Sequence, residues 1–157
     1  MTENWPQAHL DDVRRLRALA AGIPGAAVTE RVFDRPLAVV WEQLWDDGRN
    51  FAEIQPDMRS ISELTIDGER VSLHARSRHG FRAHLQGTVR PGWCWLQSRY
   101  LLIGMAAAAE PGGGTRVALT GGIRLPGQAA LLPIGVRRES TKSLNRLAAL
   151  LDRPPIP

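Results

Sequence analysis

From Ser60 to Arg124 the hydrophobic period is two, and the run is cut at Asp67-Gly68, His79-Gly80, Pro91-Gly92 and Pro111-Gly112-Gly113-Gly114. Side chains alternate across a strand, and Gly- and Pro-containing pairs supply turn conformations. The segment therefore reads as a meander of six strands at 60–66, 69–78, 81–90, 93–98, 101–109 and 115–124. The sequence on either side of it changes to helical spacing. Residues 7–21 carry Leu10, Val13, Leu16 and Ala20 on one face, with Asp11 and Asp12 near the positive end of the helix and a stop at Gly22, Pro24 and Gly25. Val28 to Phe33 is a short β-branched strand. Asp34 stands where an N-cap belongs and Pro36 in the first turn of a helix reaching about Asp46, with Leu37, Val40, Trp41, Leu44 and Trp45 as its apolar stripe. Phe51, Ile54 and Met58 surround Pro56 in a second short helical turn. Gly127 to Leu151 places Val136, Ser140, Leu144, Leu147 and Leu151 on one face of a long closing helix, kinked or started at Pro133.

With 157 residues the chain suits one core. The longest apolar stretch, Leu101 to Ala109, is far below the roughly 20 residues of a bilayer span. The start, Met-Thr-Glu-Asn-Trp-Pro, shows no signal segment, and Cys94 is alone, so a reducing cytoplasmic setting is expected. Residues 1–69 carry a net −6 and residues 70–157 a net +10, and Lys142 is the only lysine. Such a split suits an anionic partner or a solvated arginine-rich face.

The hairpin at His79-Gly80 fixes which residues share a face. Val71, Leu73, Ala75 and Ser77 form one stripe, and Ala83, Leu85, Gly87 and Val89 the matching one. They coincide only across a loop of odd length. A loop of His79, Gly80 and Phe81 would pair Ser77 with Ala83 and Leu73 with Gly87, placing Arg78 opposite Arg82 and Arg76 opposite His84 on the other side. The inward stripe is small and leaves room for something bulky. The opposed arginines cost energy unless water, salt or an anion screens them.

The segment Phe33-Asp34-Arg35-Pro36, Val40-Trp41, Leu44, Asp46, Phe51, Ile54, Pro56 and Met58, followed by Glu110-Pro111-Gly112-Gly113-Gly114-Thr115-Arg116-Val117 and a closing helix with Leu144, Leu147 and Leu151, resembles the START-like (SRPBCC) superfamily. That superfamily includes Bet v 1, the polyketide cyclases and dehydrases, and coenzyme Q-binding proteins. The resemblance implies an α+β helix-grip fold, a curved antiparallel sheet of about seven strands around a long C-terminal helix. It covers residues 28–151, leaving 1–27 as an N-terminal helical extension and 152–157 as a frayed Pro-rich tail. It also implies an apolar cavity between sheet and closing helix, and carries over no catalytic residue.

The walls expected for that cavity are Trp41, Phe51, Met58, Leu73, Leu85, Met105, Leu119, Leu132, Val136 and Leu144, around a lipid, quinone or polyketide-like molecule. Trp41 and Trp45 read first as core. Trp93 and Trp95 share a strand face whose direction stays open, because polar Gln97 and Arg99 have the same parity. Two rival functions remain. One is a cyclase or aromatase-like enzyme, with Arg99, Tyr100 and His84 as the proton-moving groups to test. The other is an interaction protein whose arginine face, centred on Arg76 and Arg82, holds an acidic partner; nucleic acid is not the expected one. No cofactor is expected. His74, His79 and His84 lack a carboxylate or thiol at a helpful interval, so no metal is expected either. The N-terminal helix is a candidate lid or a candidate homodimer contact.

Overall fold

The computed structural model describes residues 9–125, 127, 130–132 and 136–154. Residues 7 and 8, Pro133, the side chain of Val136 and residues 155–157 lie outside the described residues. The elements run α1 (Asp12–Ala21), β1 (Thr29–Phe33), α2 (Leu37–Leu44), α3 (Phe51–Ile54), β2 (Met58–Asp67), β3 (Arg70–Ser77), β4 (Arg82–Arg90), β5 (Trp93–Gln97), β6 (Leu101–Ala109), β7 (Thr115–Ile123) and α4 (Val136–Leu151). All seven strands form one antiparallel sheet in the order β1-β7-β6-β5-β4-β3-β2. β1 and β2 are successive strands yet occupy opposite edges, and α2 and α3 bridge the distance between them. α4 packs on β7, β1, α2 and α3, so the sheet grips it. None of the described helices is long and apolar enough to cross a membrane.

The inner sheet face and these helices share one apolar cluster. Val40, Trp41, Leu44, Trp45, Phe51 and Ile54 meet Leu73, Leu85, Leu96, Met105, Val117, Leu144 and Leu147 there. Trp45 and Phe51 meet edge to face, with ring centroids 5.4 Å apart. Cys94 belongs to this cluster and is fully buried, which pushes its thiol well above the ordinary range. Native protein is therefore expected to react with a thiol reagent at least about a hundred times more slowly than protein unfolded in denaturant. Equal rates in the two states would show that Cys94 is not sealed in the core.

α1 forms a second, separate layer on the outer face of the sheet, against β6 and β7. Asp11 caps it by accepting from the Arg14 backbone N–H at 2.9 Å, and Asp12 occupies its first turn. Val13 and Leu16 pack on Trp93, Ala106 and Ala118, with Trp95 and Ala108 at the border. Gly104 makes this seat possible, because a Cβ there would lie 3.0 Å from Leu16 Cδ1 and 2.8 Å from Thr120 Cγ2. Polar contacts fix the angle. Asp12 accepts a fork of two hydrogen bonds from Arg90 at 2.5 and 2.8 Å, and Arg17 pairs with Glu30 at 2.7 Å. The Asp12 carboxylate holds the Arg90 guanidinium above its ordinary pKa against the opposing pull of burial. The open question of Trp93 and Trp95 is thereby answered: both face outward and lie under α1. The helix covers the back of the sheet and is not a lid over the gripped side.

Four expectations change. The β3–β4 hairpin pairs Ala75 with Ala83, Leu73 with Leu85 and Val71 with Gly87, two residues from the expected register. Ser77 explains the shift. Its Oγ accepts from the backbone N–H groups of His79 at 3.2 Å and Phe81 at 3.1 Å, and its own N–H donates to Phe81 at 2.8 Å, so the loop is Arg78, His79 and Gly80. The parity argument survives, so the inward stripe is as expected, but Arg76 now faces Arg82 and His74 faces His84. Asp34 does not cap α2, which begins after Pro36 with no side-chain cap, and α2 ends at Leu44 before Asp46 and Asp47 take positive φ. Gly127 and residues 130–132, expected within the closing helix, lie outside it. Arg124 bridges Leu131, Leu132 N–H donates to Ile123 at 2.8 Å and Leu131 N–H to Pro24 at 2.8 Å, so this segment returns along β7. Lastly, β2 starts at Met58 and bulges where Glu63 takes a φ of 51°, which brings its carboxylate 3.2 Å from His74.

Candidate functional site

The expected wall residues lie mostly inside the apolar cluster. Trp41, Phe51, Leu73, Leu85, Met105, Leu119 and Leu144 are buried there and touch one another's neighbourhood from both the sheet and the helices. Met58 belongs to the same cluster but stands at its border. Leu132 is half-buried on the return segment. The side chain of Val136 is outside the described residues.

At Met58 the cluster opens into a groove of about 870 Å³ between α3, the second half of α4, the start of β2 and the β3–β4 turn. The groove is broad and open to solvent on one side. Ala52, Met58, Ala149 and Leu150 supply its apolar floor. Arg49, Arg59, Arg78, Arg146 and Arg153 surround it, with Glu53 as the one carboxylate.

Each arginine reaches the groove from a different position in the fold, and two of them are anchored. Arg146 Nη1 donates at 3.3 Å to the carbonyls of both Glu53 and Gln55, using the carbonyls at the C-terminal end of α3 as a bracket. Arg153 pairs with Glu53 at 3.1 Å, which ties the end of α4 to α3 and consumes the local negative charge. Arg49 lies 3.9 Å from Asp46, a loose contact. Among the described residues, Arg59 and Arg78 make no ion pair. Sequence reasoning missed this group because its members are scattered. The available signal was on α4 and just past its end, where Arg146 and Arg153 are seven residues apart and flank Ala149 and Leu150.

The residues considered for proton transfer do not assemble. His84 lies on the outward face, its ring stacked on His74 at 4.5 Å and its Nε2 2.7 Å from Ser72 Oγ. Arg99 sits over the ring of Tyr100 at 5.4 Å in the β5–β6 turn. Among the described residues no hydrogen bond joins His84 to either. Glu63 does approach His74, a proximity the spacing did not reveal, yet no group of three metal-ligating side chains converges among the described residues.

No family model matches the chain, and no curated protein matches it. Solved structures do. The Zhui aromatase/cyclase from Streptomyces sp. R1128 superposes with a TM-score of 0.61 at 16% identity, over 82% of this chain and 93% of that one. Protein MLL2253 from Mesorhizobium loti gives 0.61 at 16% identity, over 83% and 99%. Ara h 8.0201 gives 0.52 at 14% identity, over 80% and 94%. At such identities the likeness is one of architecture, and it agrees with the strand order, the gripped C-terminal helix and the paired short helices between β1 and β2. The chain has the helix-grip, Bet v 1-like fold.

Proposed function

We propose that the protein binds a hydrophobic or amphipathic small molecule on the gripped side of the sheet, at the groove between α3, α4 and β2. The observation that carries this reading is the groove itself, an open concavity of about 870 Å³ whose floor includes Met58 and Leu150, nearly buried at the edge of the main apolar cluster, beside the more accessible Ala52 and Ala149. Apolar surface held open in a concavity gains free energy when an apolar molecule displaces water from it. Trp41, Phe51, Leu73, Leu85, Met105, Leu119 and Leu144 form the packed wall behind that floor. A ligand reaching them would have to part α4 from the sheet. The aromatase/cyclase among the structural neighbours and the lipid-, quinone- and polyketide-binding relatives implied by the sequence resemblance support the choice of a small organic molecule.

Native mass spectrometry of protein purified from its own host, followed by organic extraction, tests the reading. A stoichiometric adduct that is lost in a Met58→Asp, Leu150→Asp variant of unchanged circular dichroism is the expected result. An adduct that persists in that folded variant would place the ligand elsewhere, and the absence of any adduct, together with no uptake of added amphiphiles, would overturn the reading.

A further inference from the structure

We infer that the groove selects molecules carrying an anionic head, a carboxylate or a phosphate monoester, with an apolar tail. The inference rests on the binding reading above and names the ligand class of that same groove. Five guanidinium groups line one concavity; its one lining carboxylate, Glu53, is already paired with Arg153, and Arg49 keeps a loose contact with Asp46. Like charges gathered in this way repel, and a fold that keeps them together gains from any anion that enters.

The arrangement also has the right geometry. Arg146 spends one nitrogen, Nη1, on the two α3 carbonyls. Its Nε and Nη2 make no hydrogen bond among the described residues and remain a pair of donors, the form that meets two oxygens of one carboxylate or phosphate. Anchoring lowers the entropy lost when the side chain binds. Arg59 at the start of β2 and Arg78 in the β3–β4 turn stand across the groove from α4 and have no ion pair among the described residues, so their charge is available. Met58 and Leu150 lie between these two groups of arginines on the floor. An anionic head between Arg146, Arg59 and Arg78 would leave its tail against Met58 and Leu150. A neutral molecule of the same length would meet the same floor but leave the arginines unmatched.

The test is calorimetric titration of the full chain with dodecanoate, dodecyl phosphate and methyl dodecanoate, each below its aggregation concentration. The expected result is that the two anions bind at least about tenfold more tightly than the ester at low salt, with the advantage shrinking as salt is raised. An Arg59→Gln, Arg78→Gln variant should lose most of that advantage while keeping its affinity for the ester, and the ranking of the two anions identifies the head group. Equal binding of acid and ester, or a preference that survives in the double variant, would overturn the anion inference and leave the binding reading standing. No binding of any of the three would overturn both. Retention on vesicles rich in phosphatidylglycerol without binding of any free amphiphile would also overturn it, and would assign the arginines to a bilayer surface.

Discussion

A chain shortened to begin at Ala27 is expected to melt at least about 10 °C below the full protein and to self-associate. Removal of α1 strips Val13, Leu16 and Ala20 from the outer face of β6 and β7 and uncovers Trp93, which is only 9% exposed, together with the inner flank of Trp95. Burying a Val or Leu side chain is worth about 1.5–3 kcal/mol, so the two together, before the tryptophans are counted, approach half of an ordinary domain's stability. In a domain of this size each kcal/mol moves the melting temperature by about 2–4 °C. The stacked pair Trp93 and Trp95, with ring centroids 6.3 Å apart, would then form an apolar patch on a soluble face. Thermal melts and light scattering read both effects, and Leu16→Ala, expected to cost about 2–5 kcal/mol, keeps the chain length constant as a second reading. A shortened chain that melts unchanged and stays monomeric would show that α1 rests on the sheet without holding it.

Gly87→Ala is expected to destabilise the protein by about 3 kcal/mol or more, through backbone rather than side-chain crowding. A Cβ at this position would overlap the carbonyl oxygen of Trp95 outright and sit 3.1 Å from Leu96 Cα, so β4 and β5 would have to separate. Gly68→Ala is the control. Its φ of +60° carries the left-handed penalty of about 1–2 kcal/mol, but its Cβ would meet nothing within 4 Å. Denaturant midpoints for the two variants separate lack of space from lack of conformational freedom. If Gly87→Ala proved no worse than Gly68→Ala, the close approach of β4 to β5 would not be a constraint on the fold.

The strands were legible because turn chemistry and period agree: β3 through β7 begin and end within one residue of the expected bounds, and each turn between them but β5–β6, Ser98-Arg99-Tyr100, carries Gly or Pro. Facing was legible too where one stripe is apolar and the other charged, as in β3 and β4. The exact pairing there was not, because two registers of equal parity bury the same stripe and the choice falls to hydrogen bonds of Ser77 Oγ, which periodicity does not register. Trp93 and Trp95 were ambiguous for a different reason. Their strand is covered on both sides, so the alternation that marks a half-solvated strand is missing. The small residues Gly104, Ala106 and Ala118 beside them were the trace of the helix that lies there. The arginine groove left still less. Its members come from the α2–α3 connection, β2, a turn and α4, and only folding brings them within reach of one ligand.

The placement of α1 has a mechanical consequence. β6 and β7 are pressed between a helix on each side and are buried along most of their length, whereas β2 and β3 are covered on one face only. Strands clamped from two sides open only with much of the molecule, while singly covered strands yield at lower cost. The sheet is thus stiff at its β6–β7 side and compliant toward β2. Met58, Arg59 and Arg78 sit on the compliant side, opposite the α4 arginines that are pinned to α3. One jaw of the groove is fixed and the other can give, so a ligand of the proposed kind would be met by one rigid and one yielding wall.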